Sequence, residues 1–332
     1  APTSKAVRDR LQRPLRDLRI SVTDRCNFRC VYCMEEQMEF LPRASILTLE
    51  EFGFIGRAFT ELGVRKIRIT GGEPLVRNNV MHLFTELGRL PGLTELVTTT
   101  NGSQLPKLAG ELKTAGVRRV NISLDSLDTE KFRRITRVGD LHKVLAGIDA
   151  ALAAGFDNVK INAVILKNRN HEEVTDLVRF ASNRGMDISF IEEMPLGVIG
   201  DHNRAEAYYS SDQIRTDLEE TFTLTETNAS TGGPARYFRI EQTGTRVGFI
   251  SPHSHNFCDS CNRVRLTAEG RLLLCLGQEH SVDLKRVVRG NPGNIEKLKD
   301  VIRASMTIKP KGHEFDLEAK PLIFRHMSVT GG

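Results

Sequence analysis

Six short β-branched runs, at residues 18–23, 64–70, 96–100, 120–124, 159–166 and 188–191, alternate with helical stretches such as 49–62 and 141–154, the latter stopped by Gly155. This alternation predicts βαβ units and a parallel sheet, because parallel neighbours need a crossover between them. Within the runs the side chains alternate in character. Leu18, Ile20 and Val22 share one face of the first, with Arg19, Ser21 and Thr23 on the other. Ile67 and Ile69 oppose Lys66, Arg68 and Thr70; Val120, Ile122 and Leu124 oppose Asn121, Ser123 and Asp125; Val159 and Ile161 oppose Lys160 and Asn162. Parallel strands covered by helices, like those of a filled barrel, are apolar on both faces. Polar, cationic inner faces therefore predict an interior cavity for a charged ligand. The competing reading is a sheet with one solvated face, which six consecutive parallel strands do not favour.

Unusual loops follow the strands: Thr70-Gly71-Gly72-Glu73-Pro74, Thr99-Thr100-Asn101-Gly102, Ser123-Leu124-Asp125-Ser126 and Ile191-Glu192-Glu193-Met194-Pro195. In β/α barrels the carboxyl ends of the strands gather the reactive groups. After Pro195 the pattern changes to a polar stretch over 200–230. A hairpin follows around Gln242-Thr243-Gly244-Thr245, then a helix near 295–305 and a tail over 326–332.

The six cysteines form two triplets. Cys26, Cys30 and Cys33 have the spacing C-x3-C-x2-C, and Cys258, Cys261 and Cys275 the spacing C-x2-C-x13-C. Three thiols within eight residues cannot all pair as disulfides. As thiolates they select iron–sulfur clusters, zinc or copper(I). Three ligands to a four-iron cluster leave one iron free to bind a small molecule, and two triplets imply two such clusters. Structural zinc asks for four ligands.

A length of 332 residues suits about two domains, or one large α/β barrel with an addition. Aromatics are only 6% and Trp is absent, which argues against a base-stacking nucleic-acid platform. The net charge of +5 and the lack of a basic tract suit an anionic small molecule rather than a polyanion. No apolar run reaches membrane-spanning length, and Ala1-Pro2-Thr3-Ser4-Lys5 lacks a secretory core, so a cytoplasmic, reducing location is expected, with neither nucleic acid nor membrane as partner.

The first triplet followed by Gly71-Gly72-Glu73-Pro74 resembles the radical S-adenosylmethionine enzymes. Within them, five segments are similar to the MoaA family, the GTP 3′,8-cyclases of molybdenum cofactor biosynthesis. They are residues 17–27, 68–74, Phe190-Ile191-Glu192-Glu193-Met194-Pro195, Cys261-Asn262-Arg263-Val264-Arg265-Leu266 and the final Gly331-Gly332. The resemblance covers nearly the whole chain. It implies an α/β fold, an incomplete six-stranded (βα)6 TIM-like barrel with a smaller C-terminal α+β region closing it. The boundaries implied are an N-terminal extension over 1–15, a core barrel over 16–198, a region carrying a second cluster over 199–325, and a diglycine tail over 326–332.

The resemblance further implies two [4Fe–4S] clusters and S-adenosylmethionine as cofactors. Cys26, Cys30 and Cys33 would hold the first cluster, with Tyr32, Gly72, Ser123 and Met194 touching S-adenosylmethionine. Cys258, Cys261 and Cys275 would hold the second, which meets the guanine base. Arg19, Arg68, Thr99, Lys160, Arg263 and Arg265 would bind GTP. No side chain is assigned as acid or base, and Gly331 and Gly332 would enter the cavity. The implied reaction is removal of the ribose 3′ hydrogen of GTP by a 5′-deoxyadenosyl radical, then closure onto guanine C8 to (8S)-3′,8-cyclo-7,8-dihydroguanosine 5′-triphosphate. An electron donor and hand-over to cyclic pyranopterin monophosphate synthase are implied partners, with a homodimer left open.

Ser189 departs from the family, which usually has Arg there. Glu73 is read as buttressing its turn. Two other classes stay in view: another radical S-adenosylmethionine enzyme with an auxiliary cluster, and a non-catalytic cysteine–metal binding module.

Overall fold

The computed structural model describes residues 6–317 and 323–332. Ala1-Pro2-Thr3-Ser4-Lys5, where a secretory core was sought, lies outside the described residues, as do residues 318–322 of the expected C-terminal region. Six strands run in chain order: β1 (Asp17–Ser21), β2 (Lys66–Thr70), β3 (Glu95–Thr100), β4 (Val117–Ser123), β5 (Asn158–Val164) and β6 (Asp187–Ile191). All are parallel and adjacent, β1 beside β2 through to β5 beside β6. They match the six β-branched runs to within a few residues.

Six further strands follow: β7 (Leu224–Glu226), β8 (Arg236–Ile240), β9 (Arg246–Ile250), β10 (Arg263–Leu266), β11 (Arg271–Leu273) and β12 (Ser281–Asp283). The sheet order is β12-β11-β10-β1-β2-β3-β4-β5-β6-β9-β8-β7. The expected hairpin is the antiparallel β8–β9 pair. Six strands do not delimit the sheet, however. β10 joins β1 in parallel and β9 joins β6 in parallel, so the later region extends both ends of the run. The sequence hid β10 because its four residues, Arg263, Val264, Arg265 and Leu266, begin two residues after Cys261 and read first as a ligand motif.

Helices between the strands cover the outer face. The helix Leu49–Glu61 starts at a capping box, Thr48 and Glu51 each bonding the other's backbone N–H. Asp128 and Asp140 accept from the first-turn amides of the helices Thr129–Thr136 and Leu141–Ala154. Gly155 ends the latter at φ +72°, a conformation that favours glycine. The apolar strand positions Leu18, Ile20, Ile67, Ile69, Val120, Ile122 and Ile161 are wholly buried, in one core with Phe52, Phe59, Phe84 and Phe132. The opposite face lines a cavity, giving a TIM-like α/β architecture with a polar interior. No helix among the described residues is long and apolar enough to cross a membrane.

The core also anchors the first cysteine loop. Phe28, between Cys26 and Cys30, meets Phe132 edge to face, centroids 6.0 Å apart at 85°. Phe132→Ala should therefore cost about 3–5 kcal/mol, measured by denaturant unfolding, and also loosen the triplet, read as faster thiol labelling at Cys26 and Cys30.

Candidate functional site

Both triplets open into the same cavity, and all six cysteines are free thiols, half-buried. The first follows β1. Its loop is held from three sides, each by the end of another strand. Gly72 and Glu73 donate their amides to the carbonyls of Thr23 and Arg25, at 2.8 Å each. A Cβ on Gly72 would lie 2.7 Å from the Asp24 carbonyl oxygen and closer still to that of Arg25, so glycine is required there by backbone approach. Asn101, after β3, donates its side-chain amide to Asn27 at 2.8 Å. Asp125, after β4, accepts from the Tyr32 hydroxyl at 2.7 Å and from the Val164 amide at 2.9 Å.

Glu73 is wholly buried and turned away from the cavity. It accepts from Thr100 Oγ1 (2.7 Å), the Asn101 amide (2.7 Å) and the Leu75 amide (3.1 Å). Burial raises its carboxyl to about 7 despite those three bonds. Burial likewise raises Asp125 to about 6. These geometries fit the buttressing reading of Glu73.

Burial pushes the first-triplet thiols up, Cys26 to about 11 and Cys33 to about 12, with Cys26 and Asp125 adding to the effect at Cys33. Crowded, buried thiols resist ionising alone, and a bound cation reverses that cost. Among the described residues no three His, Cys, Asp or Glu groups close on a point as a single ion would need. All six cysteines line the cavity, and a multi-iron body, whose thiolates bind different irons, does not ask three sulfurs to meet at one point. At the second triplet, burial raises the Cys261 thiol, but Lys309 and Arg263 outweigh it and bring it down to about 7.

The cations come from strand register. Arg19 on β1 is level with Arg68 on β2 and with Arg265 on β10. Parallel neighbours lie about 4.8 Å apart, so three guanidinium groups stand side by side. One step down, Asp17 is level with Lys66 and Arg263. Its carboxylate lies 3.5 Å from Lys66 Nζ, yet neither of its oxygens has a hydrogen-bond donor, and neither Arg19 Nε nor Arg68 Nε has an acceptor. Burial first, then Arg265, lowers Arg19 well below its usual value; burial and Arg263 lower Arg265 to about 10. Arg68 Nη1 donates to Thr99 Oγ1 at 2.9 Å. Lys160 Nζ donates to the Tyr237 hydroxyl at 3.0 Å. A row of buried cations, two of them with an Nε lacking an acceptor, is a site for a small molecule carrying several negative charges.

Of the residues singled out from sequence, Arg19, Arg68, Thr99, Lys160, Arg263, Arg265, Tyr32, Gly72, Ser123, Met194, Gly332 and the six cysteines line this cavity. Gly331 stands beside it. Its φ is +75° and a Cβ there would strike the Thr70 side chain. Arg265 Nη1 donates to the Gly331 carbonyl, and Thr70 Oγ1 to that of Gly332 at 3.3 Å. The tail is held inside the barrel.

Ser189 is wholly buried and level with Gly248. A Cβ on Gly248 would come within 2.5 Å of Ser189 Oγ and 2.9 Å of Tyr237 Cε1. Two small residues thus leave room for the Tyr237 ring, whose hydroxyl accepts from Lys160. Lys66, placed on the polar inner face from sequence but not singled out as a binding residue, lines the cavity with its Nζ donating to the Thr231 carbonyl at 2.9 Å. Its signal was present: it precedes Arg68 by two positions on the same strand face. Sequence reasoning missed Glu193, which accepts from His202 (2.8 Å) and Arg204 (3.0 Å) and so fixes the loop carrying Met194. Those partners come from a polar stretch without a motif.

Residues 20–181 match the model of the Radical SAM superfamily, and residues 186–315 that of Molybdenum Cofactor Synthesis C. The chain is 58% identical over 330 residues to a GTP 3′,8-cyclase of Pseudomonas putida (strain W619), covering 99% of both chains. It is 60% identical over 325 residues to that of Pseudomonas savastanoi pv. phaseolicola, covering 98% of both. At 56% over 324 residues it resembles that of Saccharophagus degradans, again 98% of both. Among solved structures, Streptococcus suis SuiB bound to S-adenosylmethionine superposes with a TM-score of 0.64 at 16% identity, over 95% of this chain and 77% of that one. That likeness speaks to the fold.

The raised carboxyl of Glu73 has a consequence for stability. With its folded value near 7 against 4.5 unfolded, the protonated form is favoured in the fold. Stability is therefore full below pH 4.5 and is lost as pH rises through about 7. Between pH 5 and pH 8 wild type should lose about 2–3 kcal/mol more than Glu73→Gln, measured by unfolding at the two pH values.

Proposed function

Because the chain belongs to the GTP 3′,8-cyclase family of the radical S-adenosylmethionine superfamily, we propose that the two cysteine triplets of its cavity divide one reaction between them. The protein is a radical S-adenosylmethionine enzyme with a [4Fe–4S] cluster, and it cyclises GTP in molybdenum cofactor synthesis. Cys26, Cys30 and Cys33 hold that cluster, and Tyr32, Gly72, Ser123 and Met194 contact S-adenosylmethionine beside it. Cys258, Cys261 and Cys275 would hold a second [4Fe–4S] cluster, whose free iron would serve as a ligand site for the guanine base. Bound S-adenosylmethionine supplies the 5′-deoxyadenosyl radical that takes the ribose 3′ hydrogen.

The chain's own part is to bind, align and exclude water. The observation that carries the reading is the in-register row Arg265, Arg19, Arg68, in which Arg19 Nε and Arg68 Nε have no acceptor and whose neighbours Arg263, Lys66 and Lys160 add positive charge. A triphosphate meets that charge, and each charge-assisted bond contributes about 1.5–3 kcal/mol. With the triphosphate fixed there, the ribose lies between the two triplets. The tail sets the Arg265 side chain through the Gly331 carbonyl and narrows the cavity without adding a side chain. Free cysteines throughout suit a reducing cytoplasm. An external electron donor serves the enzyme, and its product passes to cyclic pyranopterin monophosphate synthase.

The test is anaerobic reconstitution, then assay of 5′-deoxyadenosine and cyclised nucleotide with reductant, S-adenosylmethionine and GTP. Wild type should form both. Cys26→Ala should form neither, while Cys258→Ala should keep some uncoupled 5′-deoxyadenosine and lose cyclisation. Equal loss of 5′-deoxyadenosine in the two variants would sink the division of labour. Deleting Gly331 and Gly332 should leave iron content and most GTP affinity intact and abolish cyclisation; normal product from the truncated chain would remove the tail from the site.

A further inference from the structure

Lys309 is among the most deeply buried large side chains in the fold, at 2% exposure. Lysine is almost never fully buried unless paired, because an ammonium removed from water needs compensating charge and acceptors. Its Nζ donates to the Leu274 carbonyl at 2.5 Å and to the Arg263 carbonyl at 3.0 Å, and stands 3.7 Å from Cys261 Sγ. Leu274 directly precedes Cys275, and Arg263 lies two residues after Cys261. One ammonium therefore ties together the two segments that carry these cysteines.

The third segment is held by a second buried cation. Arg13 donates to the carbonyls of Cys258 (2.7 Å), Lys311 (2.7 Å) and Pro310 (2.6 Å). Its own charge is matched by Asp9 at 2.6 Å. Since Pro310 and Lys311 follow Lys309 in the chain, the two cations form one brace around the triplet. They differ in a way that matters. Arg13 is neutralised by a carboxylate, whereas the ionisable group at contact distance from Lys309 is a cluster thiol.

We propose that Lys309 is a positioning residue for the second cluster: it fixes the spacing of the Cys261 and Cys275 segments and directs an uncompensated positive charge at the cluster's sulfur. This rests on the reading that the second triplet holds a cluster. Cluster potentials follow net charge and hydrogen bonding to the sulfurs. A nearby cation stabilises the more negative, reduced state, so Lys309 raises the reduction potential of the second cluster.

The test uses the full chain, reconstituted anaerobically, with Cys26, Cys30 and Cys33 all replaced by Ala so that every iron belongs to the second triplet. Iron and sulfide are counted, and the midpoint is read by potentiometric titration followed by electron paramagnetic resonance. Lys309→Gln keeps polar reach and loses the charge; Lys309→Arg keeps the charge. At the parent's midpoint the reduced-to-oxidised ratio should fall at least tenfold in Lys309→Gln, a shift of about 59 mV for one electron, and recover most of the way in Lys309→Arg. Loss of iron in Lys309→Gln with retention in Lys309→Arg would also support the proposal. A fully loaded Lys309→Gln with an unchanged midpoint would overturn it, as would equal loss of iron in both variants, which would make the residue a packing element only. A parent chain that binds no iron would instead overturn the two-cluster reading itself.

Discussion

Parallel register places Arg265, Arg19 and Arg68 side by side on β10, β1 and β2, and the site depends on that row. Burial is the main cost of the row and lowers all three guanidinium groups; like charges add to it, Arg265 at Arg19, Arg263 at Arg265 and Arg119 at Arg68. The fold tolerates the row because apolar packing on the opposite face of the same strands is complete, with Leu18, Ile20, Ile67 and Ile69 wholly buried. The cost then becomes affinity for whatever anion relieves it. Asp17, one step below and itself without a hydrogen-bond donor, offsets part of the repulsion while leaving the row open towards the cavity.

Buried carboxylates do the complementary work at the strand ends. Glu73, Asp125, Glu192 and Glu193 each follow a β-strand; the first three accept from backbone and hydroxyl donors of other loops, and Glu193 from the His202 ring and the Arg204 guanidinium. Glu192 alone gathers the amides of Ser211, His253 and Ser254. Each turns a flexible loop into a fixed edge of the site, because an unmatched buried carboxylate is too costly to tolerate. Glu193 fixes the loop of Met194, and Glu73 and Asp125 brace the first cysteine loop. The C-terminal region adds strands to both ends of the parallel run, so the second triplet faces the first across one cavity.

Much of the site was legible because its signals are local. Period-two alternation separated Arg19, Arg68 and Lys160 from the apolar face without any structure, and the cysteine spacing marked the two thiol triplets that line the cavity. What escaped lay in long-range contacts. Lys309 is one lysine in a charged stretch until the fold carries it beside Cys261. Tyr237 reads as a strand aromatic until Gly248 and Ser189 leave room for its ring and its hydroxyl accepts from Lys160. Glu193 gives no sign in sequence that His202 and Arg204 will close on it.

The sequence by itself determined the order of the six core strands and the helices between them, the polarity of their faces, the two thiol triplets and the family. Each is written in spacing, and backbone geometry converts spacing into direction. Only the tertiary structure decided that β10 would sit beside β1 and β9 beside β6, that three arginines from distant segments would align, and that Gly331 would reach Arg265. Those outcomes depend on which strand edges find each other, and edge pairing is settled by packing over the whole chain rather than by any local pattern.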